Sequence, residues 1–526
     1  MKVTGEMLIG QSTVFGSAGR VRAFNPTLGE DIEPAFGVST LAEVDRACEL
    51  AKEGFQSYRN TSPEIRGRFL ETIAEYLLAL GEPLYARAAL ETGLTTARIK
   101  GETQRTAAQM KMFADVVRHG QWRHATIDSG DPSRQPLPRA DLRMQKVPLG
   151  PVGVFGSSNF PILYSVAGGD TASALAAGCC VVVKAHGSHP GTSELVGRAI
   201  QNAVRDCGLH EGVFSLLFGN GNEVGEALVD HPAIQAVGFT GSEGGGMALV
   251  RRGAQRNIPI PVFTEMTSVN PNFVLPGAMK VRAREFASQF VERMTAGAGQ
   301  MCLKPGLILA VDDEHFGTLR DALGTALSTR EPETMLSPGI YKNFNNAAAR
   351  SRSGKGSIVV AKGQTPKGPF EAQSEIFEID AAELIAAPEL ANEVFGPAAA
   401  LIRCAHAEQL LEVAKTLRGQ LTMAVHMEPG DTELALQLMP ILESKTNRIL
   451  ANKFSNMVEI GYATVHGGPY PATSDSRFTS VGATAIERFL RPVCYENLPS
   501  ELLPPALQDG NPLSLWRVVD GELKRE

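Results

Sequence analysis

The chain lacks any excess of basic charge. Fifty Lys and Arg stand against 57 Asp and Glu, a net charge of −7 over 526 residues. With a pI near 5.9, that balance argues against a surface for nucleic acid or for an anionic membrane. Long hydrophobic runs are also missing. The most apolar stretch, residues 174–183, is too short to span a bilayer. The start Met1-Lys2-Val3-Thr4-Gly5-Glu6 has no apolar core of the kind a secretory signal needs. Cysteine is sparse and odd in number, seven in all, with Cys179 and Cys180 adjacent. This fits a reducing compartment better than a disulfide framework, and no metal-ligand spacing is present. The expectation is a cytoplasmic protein without a structural metal. No internal repeat or low-complexity tract occurs.

What remains is ordinary globular material, 43% hydrophobic and 20% charged with 53 Gly. Its length calls for two or three domains. Apolar β-rich runs alternate with Ala/Leu-rich amphipathic runs, the signature of βαβ units and a parallel sheet. Residues 41–80 read as two helices, with Ala47, Leu50, Ala51 and Phe55 as the buried stripe of the first. Short buried strands are expected at 152–155, 180–184, 214–218 and 236–240, with helices at 165–177 and 192–206. Residues 121–149 are polar and carry Pro132, Pro136, Pro138 and Pro148. They read as an exposed hairpin, a partner-binding arm. A composition change near Phe263 opens another mixed segment, and the Pro- and Leu-rich tail after Leu498 reads as extended or loose.

Several segments can carry chemistry. Cys302, in Gly299-Gln300-Met301-Cys302, is a candidate thiol nucleophile, and Glu265, in Phe263-Thr264-Glu265-Met266, a candidate base. Thr240-Gly241-Ser242-Glu243 follows a strand. Gly241 permits close backbone approach and Ser242 can cap a helix, so an anion could sit there, though an ordinary turn reads equally well. Gly219 to Gly225 misses the dinucleotide spacing by one residue and reads as a tight turn. Asn159, before Phe160-Pro161, can donate to an oxyanion or merely make a turn. Lys184 ends a buried strand, where open α/β sheets bind ligands. Glu393-Val394-Phe395-Gly396-Pro397 is a compact acidic-aromatic turn.

Taken in order, Asn159, Lys184, Gly241-Ser242, Glu265, Cys302 and the Glu393 to Pro397 turn resemble the aldehyde dehydrogenase superfamily. The resemblance runs from Phe24-Asn25-Pro26 to Gly467-Gly468-Pro469. Residues 160–178 and 264–271 look like its NADP-linked branch, which contains α-ketoglutaric semialdehyde (2,5-dioxopentanoate) dehydrogenase and a fatty-aldehyde dehydrogenase. The first is the nearer match.

The resemblance implies an α/β fold with a Rossmann-type cofactor domain (1–120 and 150–262), an α/β catalytic domain (263–467), and an oligomerisation arm with a C-terminal segment (121–149 and 468–526). It implies a homodimer or homotetramer acting on a small aldehyde. Cys302 would form the thiohemiacetal and thioester, Asn159 would hold the oxyanion, and Glu265 would activate water. Lys184 would bind the adenosine ribose, Ser242 beside Gly241 the pyrophosphate, and Glu393 and Phe395 the nicotinamide ribose. Three departures from the family pattern stand out: Thr267-Ser268 in place of Gly-Gly, Glu243 in place of Thr, and Gly187 where NAD-preferring members carry an acid. Gly187 removes a charge that would repel a 2′-phosphate. The expectation is therefore NADP use with NAD tolerated, His186 and Ser188 being candidate phosphate donors. For the distal carboxylate of a semialdehyde, Arg293 and Arg477 are the candidate cations. Other readings are a fatty aldehyde as substrate, acyl transfer to coenzyme A, and a non-catalytic scaffold. The presence of both Glu265 and Cys302 weighs against the last two.

Overall fold

In the computed structural model, residues 2–525 are described except Lys355 and Asn456. Five parallel strands form the first sheet, in the order Val262–Glu265, Ala236–Thr240, Val152–Phe155, Val181–Lys184 and Phe214–Leu217. Met7–Ile9 adds antiparallel to the last of these, with Ser12–Val14 outside it. Val152, Val154, Val181, Val182, Val183 and Leu216 are almost wholly buried. Apolar residues at successive positions fit strands covered on both faces, as a parallel sheet with flanking helices requires. The helices between the strands are Gly169–Ala177, Pro190–Asp206, Glu223–Asp230 and Glu243–Gln255. The first begins four residues later than the sequence reading.

The two helices expected in 41–80 are Leu41–Tyr58 and Pro63–Thr92. Thr40 and Glu43 form a reciprocal capping box on the first. The second bends at Gly81, which takes φ +52° two residues before Pro83. Arg66, in the first turn of the second helix, is buried. Its guanidinium donates to the carbonyls of Tyr58, Arg59, Ala176 and Ala177, tying two helix ends together.

A second sheet runs Ile358–Lys362, Glu375–Asp380, Ala398–Cys404, Leu307–Val311, Pro271–Val274, Met423–His426 and Ile449–Ala451. It is parallel except for its first pair. The boundary expected at 263 needs correction. Val262–Glu265 pairs with Ala236–Thr240, so the chain leaves the first sheet only after Glu265. The change of composition at Phe263 marks an edge strand rather than a new layer.

The 121–149 segment contributes Thr126–Asp128 and Leu142–Pro148, which pair with each other. They do not stand alone as a hairpin. Leu142–Pro148 also pairs with Leu490–Glu496, and Arg517–Val519 adds beside Thr126–Asp128, followed by Glu522–Lys524. The tail is therefore part of a five-stranded sheet.

Candidate active site

Glu265 ends the outermost parallel strand of the first sheet and is 3% exposed. Cys302 comes from the other body. It follows the helix Pro276–Thr295 and a tight turn in which Gly297, Ala298 and Gly299 all have positive φ. A Cβ on Gly299 would stand 2.4 Å from the Gly396 carbonyl, so the cysteine loop and the Glu393 to Pro397 turn can interlock only through glycine. Lys304 fastens the same junction by donating to the carbonyls of Val394 and Ala398. Burial pushes its ammonium down to about 8. Asn270, itself at φ +49°, donates at 2.9 Å to the carbonyls of Cys302 and Lys304. Gln420 Oε1 accepts from the backbone of Val269 and Asn270.

Between the two bodies stands His466, fully buried. Its Nε2 is aligned with Cys302 Sγ at 3.6 Å and lies 3.0 Å from Glu265 Oε1. The Sγ, imidazole nitrogen and carboxylate oxygen are all within 4.8 Å of one another. Ser480 donates to the other carboxylate oxygen. Burial pushes the Glu265 carboxyl up, but His466, Ser480 and Cys302 outweigh it and hold the group below the usual range. Burial drives the Cys302 thiol well above its ordinary value, and the Glu265 charge adds to this. The cysteine is thus a thiol at rest, with an imidazole and a carboxylate in reach of its proton. Asn159 donates one amide hydrogen to the Gln300 carbonyl at 2.9 Å, and its second is available to an oxyanion beside Cys302.

A cleft of about 910 Å³ opens onto this cluster. Cys302, Glu265 and Asn159 line its inner end, and Lys184, His186, Ser188, Gly241, Ser242, Glu243, Glu393 and Phe395 line the rest. Ser242 caps the helix Glu243–Gln255, accepting from Gly245 N. A Cβ on Gly241 would meet the Phe239 ring at 2.7 Å. Glu243, the acid at this mouth, is engaged: Arg418 and the Tyr470 hydroxyl each donate to it at 2.7 Å. Thr267 donates to Glu393, so the departure from Gly-Gly supplies a hydrogen bond across the cleft. Burial nevertheless keeps the Glu393 carboxyl above its usual range. Burial also lowers the Lys184 ammonium. His186 Nδ1 accepts from Ser188 N, leaving Nε2 as the donor. Burial, with His189 and Lys184 nearby, pushes its pKa down to about 3. Gly187 is exposed, with nothing within 4 Å of a would-be Cβ.

Two sequence expectations are corrected. Arg293 is a half-exposed residue whose nearest acid is Glu292 at 3.7 Å. Arg477 is 79% exposed and paired with Asp475. Neither lines the cleft, and each is a surface cation beside an acid of its own, so neither is placed at Cys302. His466, Ser480 and Asn270 were not singled out from the sequence, and Thr267 was noted only as a departure from Gly-Gly. For His466 the signal was its position directly before Gly467-Gly468, and no spacing linked it to Cys302.

The comparisons with known proteins agree with this geometry. The profile of the aldehyde dehydrogenase family matches residues 15–436. The chain is 50% identical over 523 residues to alpha-ketoglutaric semialdehyde dehydrogenase 2 of Azospirillum brasilense, covering 99% of this chain and 100% of that one. It is 44% identical over 520 residues to an alpha-ketoglutaric semialdehyde dehydrogenase of Acinetobacter baylyi, covering 99% and 98%. Among solved structures, aldehyde dehydrogenase C of Pseudomonas syringae superposes with a TM-score of 0.80 at 20% identity, over 94% of this chain and 96% of that one. Fold, site and relatives converge: the chain belongs to the aldehyde dehydrogenase family and is an oxidoreductase of that type.

Proposed function

We propose that the protein oxidises 2,5-dioxopentanoate to 2-oxoglutarate with NADP as the preferred acceptor. The reading rests on one observation above all, the contact of Cys302, His466 and Glu265 at the inner end of the cleft. The names of the two full-length relatives suggest the substrate.

In this reading His466 Nε2 takes the Cys302 proton as Sγ attacks the aldehyde carbon. The resulting imidazolium is stabilised by Glu265 at 3.0 Å. The Asn159 amide and the Cys302 backbone N–H hold the oxyanion, a pair of donors able to contribute several kcal/mol, on the order of 3–4 per donor at most. Bound NAD(P) supplies the hydride acceptor. Glu265, kept anionic by its neighbours, then takes a proton from the water that releases the acid from the Cys302 thioester.

The cleft suits the dinucleotide. The capped helix end with Gly241 and Ser242 suits a pyrophosphate, Lys184 suits a ribose, and Glu393 and Phe395 suit the second ribose. His186 Nε2–H and Ser188 stand beside Gly187, where no carboxylate opposes a 2′-phosphate. Assembly into a dimer or tetramer would use the five-stranded sheet, whose outer strand Leu490–Glu496 leaves one edge open.

The test is NADPH formation with 2,5-dioxopentanoate, hexanal and decanal, with Cys302→Ala as control and with coenzyme A added or omitted. A kcat/KM highest for the dioxo acid, lost in the variant and indifferent to coenzyme A, is expected. Preference for decanal would refute the substrate, and dependence on coenzyme A would refute hydrolysis.

A further inference from the structure

With Arg293 and Arg477 removed from the site, the cation that recognises an acidic aldehyde must lie elsewhere. Only one face of Cys302 looks into the cofactor cleft. The other packs into a small apolar cluster with Leu163, Tyr164, Leu303, Val458 and Val481, none of which lines that cleft. Two arginines converge on this far side from different elements. Arg105, on the helix Thr96–His119, donates to the Val458 carbonyl. Arg448, just before the strand Ile449–Ala451, donates to the adjacent Met457 carbonyl at 3.3 Å.

Both carry unused charge. Among the described residues, neither has a carboxylate within ion-pairing distance, whereas Arg98 pairs with Glu102 and Arg418 with Glu243. Arg105 Nε and Arg448 Nη1 are buried without a hydrogen-bond partner. Two fully buried arginines provide a contrast. Arg66 spends its donors on backbone carbonyls, and Arg488 is paired with Asp170 at 2.7 Å. Arg105 and Arg448 are themselves half-buried, and a partly desolvated guanidinium without a counter-charge favours an anion that comes to it. The Cys302 thiol and the Tyr164 hydroxyl are close enough to act electrostatically on Arg448.

Resting on the substrate reading above, we propose that Arg105 and Arg448 form the binding site for the carboxylate end of the aldehyde substrate, an ω-oxo acid. Each planar guanidinium presents a fork of donors that matches a carboxylate. The apolar cluster lies along the carbon chain between that carboxylate and the carbonyl at Cys302. A fatty aldehyde would leave both charges unanswered, so the same pair selects against it.

The experiment compares Arg448→Met and Arg105→Met with the wild type on 2,5-dioxopentanoate and on hexanal. It also measures inhibition of hexanal oxidation by 2-oxoglutarate, which reports carboxylate binding without turnover of the acid. In each variant kcat/KM for the dioxo acid should fall by about 100-fold, mainly through KM, while hexanal changes by less than about 3-fold. Inhibition by 2-oxoglutarate should weaken in parallel, and Arg448→Lys should restore part of both. Equal losses on the two aldehydes would mean a structural role, and an unchanged ratio would mean no contact with the substrate; either overturns the assignment. If either Met variant does not fold, the Lys variants at both positions decide on the same ratio. If the wild type itself prefers hexanal, the substrate reading falls first and the arginine site with it. If the wild type prefers the dioxo acid and the variants keep that preference, the arginine assignment alone falls.

Discussion

Replacing His466 with Asn should slow the chemistry of Cys302 before it affects anything else. The imidazole Nε2 lies 3.6 Å from Sγ and 3.0 Å from Glu265 Oε1. At an effective dielectric of about 20, a thiolate and an imidazolium at that separation attract by roughly 4–5 kcal/mol. Charging the imidazole inside the protein has its own desolvation cost, so a net loss of about 2–3 kcal/mol is expected, which is about 30- to 150-fold less thiolate at a given pH. Burial and the Glu265 charge already push the thiol well above its ordinary value. Without His466 only the backbone hydrogen bond at Cys302 opposes them, and the thiol titrates at still higher pH. Glu265 is affected in the opposite role. It loses the largest influence holding its pKa down, so burial raises it and the carboxylate is protonated over more of the acid range.

Alkylation by iodoacetamide, followed through the loss of NAD(P)-dependent activity between about pH 6 and pH 9.5, separates the two effects. For His466→Asn the alkylation rate at pH 7 should fall by about 30- to 150-fold and its profile should move to higher pH. The acid limb of steady-state turnover should move upward as Glu265 becomes easier to protonate. Glu265→Gln should do the reverse at the thiol. Removing the neighbouring negative charge leaves alkylation as fast or faster, while turnover stops after about one equivalent of NADPH per site. If His466→Asn is alkylated within about twofold of wild type across the range, the imidazole does not serve the thiol and this account of the site is wrong.

Three other outcomes follow from particular contacts. Gly187→Asp introduces a carboxylate where a Cβ meets nothing within 4 Å, so the fold should be untouched while kcat/KM with NADP falls about 10- to 100-fold relative to that with NAD; an unchanged ratio in paired kinetics would place the 2′-phosphate elsewhere. Arg66→Ala strips a buried guanidinium from four backbone carbonyls at two helix ends and should cost about 3–5 kcal/mol by denaturant titration; a loss below about 1 kcal/mol would show that water satisfies those carbonyls. Glu487 is bonded to His124 and Lys146, which hold its pKa at about 2. Because the folded value is depressed, its stabilisation is complete above about pH 4.5 and is lost as pH falls toward 2. Glu487→Gln should therefore cost about 1 kcal/mol at neutral pH, after allowance for solvent screening, and nothing near pH 2, as urea titrations at the two pH values can check.

The parallel sheet was legible because both its faces are covered. Runs such as Val181-Val182-Val183 have few other uses, and the strand limits fell within a residue of the reading. The second sheet was harder to see. Its strands are separated by long, varied connections, and its approach was blurred by Val262–Glu265, whose composition differs from its sister strands because it lies at an edge. The 498–526 tail was opaque for a similar reason. Short strands such as Arg517–Val519 exist only because Thr126–Asp128 offers them an edge, and no local pattern announces a pairing across nearly 400 residues.

The site divides along the same line. Cys302, Glu265 and Asn159 lie in motifs whose local geometry has a sequence signature, as the glycine that lets the cysteine loop lie against Gly396 shows. His466 has none. It reaches the thiol because the segment after the second sheet returns to the first, with Thr473 bridging to Glu265 and Ser480 bonded to its carboxylate. Arg105 and Arg448 meet for the same reason, one from an N-terminal helix and one from the edge of the second sheet. The residues expected to carry the redox chemistry sit in recognisable turns. Those expected to tune the thiol and choose the aldehyde are single side chains whose neighbours are decided by the fold. That is why Arg293 and Arg477, plausible by position along the chain, proved to be surface residues. The cations proposed for the substrate carboxylate are marked instead by donor atoms that lack a partner, a property no sequence displays.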